Sequence, residues 1–278
     1  MLGASIGIVF FDVFRFRRRI IMSNLQRAFP DWTRSEKNRV GRKAMITQGH
    51  LVVEFFNLPF MNRNWVEKNI VFEGLEHYEA AISKGKGVLL LGMHMGSGEC
   101  AIGSICVKGI PLVLIGKRFR NAFMDRLLFG SRARTGMSFI PPHGKTTAIQ
   151  IMRCLREQKA VLFVLDQHIY PPYGVASTFF GHHVGTAMGL ALFAQKTTAP
   201  IIPLHTYRDT QGFNHVVFGP EVPFEEAESK KATLKTMTQT FNHVLEDTIR
   251  KHPGQWMWIH KRWKPFPREE ESDANAEA

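Results

Sequence analysis

The segment Val88-Leu89-Leu90-Leu91-Gly92-Met93 runs directly into His94-Met95-Gly96-Ser97-Gly98-Glu99, so an apolar run ends in a histidine with a carboxylate five positions on. Imidazole titrates near neutrality, and a neighbouring acid holds it in one tautomer; the pair suits a general base with an orienting carboxylate. On an ideal helix five residues turn about 500°, which leaves the two side chains some 140° apart. They meet only if His94 lies in the turn before a helix, and Gly96 and Gly98 permit that bend. Taken alone, a His-x4-Glu spacing is common and fits a loop with no chemistry equally well.

The elements around this segment have a recognisable period. Thr33-Arg34-Ser35-Glu36 has capping-box spacing and opens a helix predicted to run to about Leu58, where Pro59 stops it. Short apolar runs then alternate with helical stretches. Strands are predicted at 70–72, 88–91, 112–115, 138–140, 161–165 and 201–204, with an added edge strand at 213–218. Helices are predicted near 76–84, 99–107, 122–134, 146–157, 187–195 and 227–250. Continuous β-branched runs between helices belong to strands buried on both faces, hence to an α/β fold with a largely parallel central sheet flanked by helices. Ligands of such sheets sit beyond the carboxyl ends of strands, so the residues after Leu91, Ile115 and Leu165 are where chemistry is expected. Asp166 ends its strand there and is expected to line the same cleft, with Gln167 beside it.

The chain has 278 residues, and its 36 Lys+Arg against 24 Asp+Glu give a formal net charge of +12. With 44% hydrophobic and 22% charged residues it has a globular composition, and one domain is the default because no repeat or long linker divides it. Residues 1–43 hold ten Lys/Arg against three acids, whereas 268–278 hold five acids against one Arg. A basic body implies an anionic partner: nucleic acid, acidic lipid or an acidic carrier protein. Residues 1–14 are apolar except for Ser5 and Asp12, and Arg15, Arg17, Arg18 and Arg19 follow at once. That order is opposite to a signal peptide and suits a helix lying on an anionic membrane surface. A helix packed on its own domain is the alternative. The organisation read is a membrane-surface segment (1–30), a main domain (31–267) and an acidic, disordered tail (268–278). Cys100, Cys106 and Cys154 form no pair at a ligand or disulfide spacing and read as reduced packing residues of a cytosolic compartment.

Seven motifs in order carry a resemblance across nearly the whole chain. They are Asn24-Leu25-Gln26-Arg27-Ala28-Phe29-Pro30, Gly74-Leu75-Glu76-His77-Tyr78, the run from Lys84 to His94, Asp166-Gln167, Phe179-Phe180-Gly181 with Thr186, Ala199-Pro200-Ile201-Ile202-Pro203, and His252-Pro253-Gly254-Gln255-Trp256-Met257-Trp258 with Lys261-Arg262-Trp263. Together they resemble the lipid A biosynthesis late acyltransferases, the lauroyl/myristoyl acyltransferases of Gram-negative bacteria, within the wider lysophospholipid and glycerol-3-phosphate acyltransferase superfamily. The resemblance implies a glycerol-3-phosphate acyltransferase-like domain that moves a fatty acyl group from a thioester on acyl carrier protein to a hydroxyl of a lipid A-type glycolipid. It implies a place at the cytoplasmic face of the inner membrane, by peripheral attachment or a short N-terminal anchor. It implies that His94 and Glu99 are the catalytic pair, with no cofactor and no metal. The basic stretch Lys117–Arg134 resembles the family's basic segment, which makes Arg132 first and Arg118 with Asn121 second as groups for the oxyanion or for substrate phosphates. Backbone amides near Gly96 and Ser97 are further oxyanion donors to consider.

One departure stands out. The family pattern has a large aromatic immediately before the acid, where this chain has Gly98. Alternatives that keep the fold are acylation of a lysophospholipid or another glycolipid, or use of acyl-CoA, and a catalytically dead scaffold. A nucleic-acid-binding module leaves the His94/Glu99 segment unexplained and carries no recognised motif. His168, His182 and His183 have no partner at a metal-ligand spacing, and no phosphate-loop or dinucleotide fingerprint is present.

Overall fold

The computed structural model describes residues 2–116, 135–142, 144 and 146–267. Helix α1 (Leu2–Ile8) continues into a π-helical turn (Val9–Val13) and is followed by α2 (Arg18–Ala28), α3 (Arg34–Phe55) and α4 (Arg63–Asn69). The α/β body then runs β1 (Ile70–Glu73), α5 (Leu75–Ile82), β2 (Val88–Gly92), α6 (Gly98–Val107), β3 (Leu112–Ile115), β4 (Ser138–Ile140), α7 (Thr147–Arg156) and β5 (Ala160–Val164). A hairpin of β6 (Gly174–Phe179) and β7 (His182–Ala187) precedes α8 (Gly189–Thr197), β8 (Ile201–Arg208), β9 (Asn214–Phe218) and α9 (Lys230–Lys251). The tail expected at 268–278 and the helix expected at 122–134 lie outside the described residues.

The sheet order is β1-β9-β8-β2-β5-β3-β4. Strands β8, β2, β5, β3 and β4 are mutually parallel, β9 is antiparallel to β8, and β1 is parallel to β9. Alternate residues of β2 feed different cores: Leu89 and Leu91 pack with Val161, Phe163 and Phe241, and Val88 and Leu90 with Ala160, Leu162 and Ile105. A strand with no solvent face needs no polar alternation, which is why β2 reads as an unbroken apolar run. The segment 213–218 is corrected from an edge strand to the second position, because β1 pairs along its outer side.

The hairpin is the element the periodicity misses. Its strands carry Ser177, Thr178, Thr186 and four glycine or alanine positions in place of large apolar residues, so no period-2 contrast is visible. Phe180 and Gly181 both have positive φ, the geometry of a tight two-residue hairpin turn. Strand β7 therefore runs to Ala187 and the helix predicted from 187 starts at Gly189.

The capping box forms as the spacing predicts. Thr33 Oγ1 accepts from the Glu36 amide at 3.2 Å, and the Glu36 carboxylate accepts from the Thr33 amide at 2.7 Å. Helix α3 ends at Phe55, and a 3-10 turn at Leu58–Phe60 absorbs Pro59. Helix α1 lies flat on α3 because Gly3, Gly7 and Gly49 let the two backbones touch; a Cβ on Gly7 would strike Ile46. Asp12 is paired with Arg42 at 2.8 Å. Val13 (69%), Phe14 (67%) and Phe60 (72%) are exposed in these N-terminal elements, together with Leu2, Phe10, Val52 and Phe56. Among the described residues no helix is long and apolar enough to cross a membrane.

Candidate active site

Strands β2 and β5 are parallel with Gly92 opposite Val164. Two residues beyond that pair stand His94 and Asp166, so the register itself brings them level. The Asp166 carboxylate accepts from the His94 amide at 2.9 Å and lies 2.8 Å from His94 Nδ1. Its second oxygen also accepts from Trp256 Nε1 at 2.8 Å. His94 occupies the bend before α6, and Gly96 supplies the left-handed residue of that bend at φ 55°.

The electrostatics follow from this arrangement. Asp166 is 1% exposed. Burial pushes its carboxyl upward, but the His94 charge and the hydrogen bonds from His94 and Trp256 outweigh burial and leave its pKa below the ordinary value. Burial likewise pulls His94 down, yet the Asp166 charge and hydrogen bond, with a further contribution from the Glu99 charge, leave its pKa above 6.5. The ionised carboxylate holds the proton on Nδ1, so Nε2 is the nitrogen left to work in the cavity. The sequence reading assigns that tautomer-fixing contact to Glu99. The structure gives it to Asp166, while Glu99 lines the same cavity as His94 and acts on it through charge.

The closing segment 252–263 braces this bend. The Gly96 amide donates to the Gln255 carbonyl at 3.0 Å, the Met257 amide to the His94 carbonyl at 3.1 Å, and Met95 bridges Trp256. The Gly96 amide is therefore committed and does not serve as an oxyanion donor; the backbone donors left at this end are those that open α6, which starts without a side-chain cap. Behind Asp166 lies Arg262, fully buried. Its guanidinium donates to the carbonyls of Gln167 (3.1 Å) and Gly185 (2.7 Å) and to Thr186 Oγ1 (2.6 Å). Burial lowers its pKa to about 10, against the attraction of Asp166 and Glu246. On the other side, Asn24 donates to the carbonyls of Trp258 and His260, both at 2.8 Å. Sequence reading assigns no role to Trp256, Arg262 or Asn24, although each falls in a motif it singles out.

His94 and Glu99 open onto a cavity of about 740 Å³, within the usual range for a small-molecule site. Its walls are mainly apolar, with Leu51, Ile102, Phe139, Ile151, Phe163 and Phe193 among them, and Gln48, Thr147, Gln167, Tyr173, His205 and Thr206 add polar side chains. Such a site suits a hydrocarbon chain lying against one base and one further carboxylate. Arg118, Asn121 and Arg132 lie outside the described residues. Cys100 and Cys106 are both pushed up to about 11 by burial, so neither is a nucleophile at neutral pH.

The family model for bacterial lipid A biosynthesis acyltransferases matches residues 1–265. A lipid A biosynthesis acyltransferase of Haemophilus influenzae is 23% identical over 260 residues, covering 93% of this chain and 79% of its own length. A lipid A biosynthesis palmitoleoyltransferase of Escherichia coli is 24% identical over 268 residues, covering 96% and 85%. A phosphatidylinositol mannoside acyltransferase of Mycobacterium tuberculosis is 22% identical over 214 residues, covering 76% and 66%.

Proposed function

The chain belongs to the bacterial lipid A biosynthesis acyltransferase family, and on that premise we propose that it transfers a fatty acyl group from a carrier-bound thioester to a glycolipid hydroxyl, with His94 as general base. Family membership makes it an O-acyltransferase with a lipid A-type glycolipid as acceptor. The observation that carries the residue assignment is the hydrogen bond between His94 Nδ1 and the buried Asp166 at the edge of an apolar cavity.

In the proposed reaction His94 Nε2 takes the acceptor hydroxyl proton as the oxygen attacks the thioester carbonyl carbon. The tetrahedral oxyanion collapses, the C–S bond breaks, and the imidazolium returns its proton to the leaving thiolate. Asp166 keeps Nδ1 protonated throughout, and Asp166 and Glu99 together stabilise the imidazolium by charge. The first-turn amides of α6 face a developing negative charge from a helix N-terminus, and Arg132, Arg118 and Asn121 are proposed, by resemblance alone, for the oxyanion and for phosphates of acceptor or carrier. The donor proposed is acyl carrier protein, with acyl-CoA as the competing donor.

The enzyme is further proposed to work on the cytoplasmic face of the inner membrane. The exposed apolar face formed by α1, its π-turn and the end of α3, with exposed Arg15 and Arg19 beside it, supports this. Arg17 and Arg18 are occupied by the protein itself: Arg17 donates to the Ile259 carbonyl and Arg18 to Asn38. The packing of α1 on α3 and the exposed apolar residues beside it are compatible with a surface helix that is also part of the domain. Mass spectrometry of the glycolipid fraction from cells with and without the protein tests the function. A species heavier by one acyl group, present only with the protein, is expected; identical spectra overturn the proposal.

A further inference from the structure

Gly98 is a glycine without a backbone reason. Among the described residues, six glycines have no atom within 4 Å of the place a Cβ would occupy, and five of them, Gly85, Gly109, Gly136, Gly181 and Gly212, have positive φ. Those five are turn residues that a side chain would strain. Gly98 is the sixth, and its φ is ordinary for any L-residue. It is the first residue of α6, a position where alanine is the better helix former. Among the described residues no steric neighbour requires glycine here, and no conformation does, so the open space itself is what the residue provides.

That space belongs to the site. Gly98 lines the cavity between His94 and Glu99 in sequence, and Ile102, one turn further along α6, lines it too. Gln48 and Leu51 of α3 form the neighbouring wall, and α3 packs on α6. One residue beyond Leu51, Val52 of α3 is exposed, as is Phe56 just past the helix end, both among the residues proposed to meet the bilayer. An acceptor oxygen must come within about 3 Å of His94 Nε2. Whatever is bonded next to that oxygen then lies in the cavity that Gly98, Leu51 and Ile102 help to line.

We infer that the space over Gly98 is a subsite for the acceptor, holding an apolar substituent that flanks the reacting hydroxyl, and that Gly98 sets how bulky that flank is allowed to be. The inference rests on the proposed transferase reaction and adds to it the shape of its acceptor. Donor and proton steps are as above; the subsite changes only which R–OH reaches the thioester carbonyl, water being the smallest.

The test compares two acceptors in one assay. Full-length protein is given a fatty acyl thioester and vesicles containing a lipid A-type glycolipid, and labelled acyl glycolipid and free fatty acid are both measured. Their ratio does not depend on how much of a preparation is folded. Gly98→Ala is expected to lower the ratio of glycolipid acylation to hydrolysis about tenfold, and Gly98→Phe at least a hundredfold. Gly98→Ala keeps the helix start intact, so it carries the result if the phenylalanine variant fails to fold. A ratio that stays within twofold of wild type in Gly98→Ala overturns the subsite, as does a parallel fall of both products, which places the donor chain there instead. Wild-type protein that forms neither product overturns the transferase reading, and the subsite with it.

Discussion

His94 has a pKa above 6.5, whereas burial brings His168 and His205 down to about 4. The difference is Asp166. A base must be neutral to accept a proton, so acyl transfer is expected to rise with pH through a pKa above 6.5, read as the acid limb of kcat/KM. Asp166→Asn is expected to cut turnover by about 10²–10⁴ and to move that limb to lower pH, because the carboxylate that raises His94 is gone. A variant with wild-type turnover and an unmoved limb contradicts the assignment. Arg262→Met leaves the Gln167 and Gly185 carbonyls buried without their donor; a loss of stability of about 3 kcal/mol, read by denaturant unfolding, is expected. At this scale the sequence shows a histidine at the end of a buried strand, a local feature, while a role for His94 in chemistry enters only through the family resemblance. The sequence does not show Asp166 as the partner, because the two are 72 residues apart and become neighbours only through β2–β5 register. Knowing that two parallel strands pair and that each ends two residues before a polar group was the missing signal.

At the scale of elements, what the sequence reveals follows from how local each cause is. The Thr33–Glu36 box, the helix it starts and the apolar strands β2, β3 and β5 are set by contacts within a few residues, and they stand where the pattern predicts. The β6–β7 hairpin is built from small polar residues whose reason is elsewhere: Ser177 and Thr186 hydrogen-bond each other at 2.8 Å, and Asn242 of α9 donates to both. Strand β9 reads as an edge because nothing local reveals that β1, some 140 residues earlier, covers it. Helix α1 is the element with two faces, one pressed on α3 through glycines and one exposed. Deleting it would bare the α3 surface, so point changes give the cleaner test of membrane binding. Val13→Asp with Phe14→Asp is expected to reduce co-sedimentation with anionic vesicles at least tenfold while the melting temperature stays within about 2 °C, since both side chains are already in solvent. Unchanged co-sedimentation contradicts the bilayer-facing assignment.

The whole molecule is one α/β domain whose two cores meet along β2 and β5, and the proposed catalytic pair sits where those strands end. Its basic charge, +12 over the full chain, fits work among anionic lipids and phosphates. The charge state of its interior gives a prediction about stability. His168 and His205 have folded pKa values near 4, so between pH 6.5 and 4 only the unfolded chain protonates them, and stability falls as pH drops through that window. His94 works the other way, being raised: its contribution is fully present below 6.5 and is lost as pH climbs through its folded value. His50, His252 and His260 are depressed as well and His215 is raised with His94, so the depressed histidines outnumber the raised ones and unfolding free energy is expected to be lower at pH 5 than at pH 7, by on the order of 2 kcal/mol. Equal stability at the two values contradicts this balance. The central claim, that His94 is the base of an acyl transfer to a lipid A-type glycolipid, is tested most directly by purified wild type and His94→Gln, each given acyl carrier protein thioester and glycolipid in vesicles. The account predicts acylated glycolipid from wild type and a loss of about 10²–10⁴ in His94→Gln, with vesicle binding and unfolding midpoint retained. Turnover by His94→Gln within a few fold of wild type would contradict it.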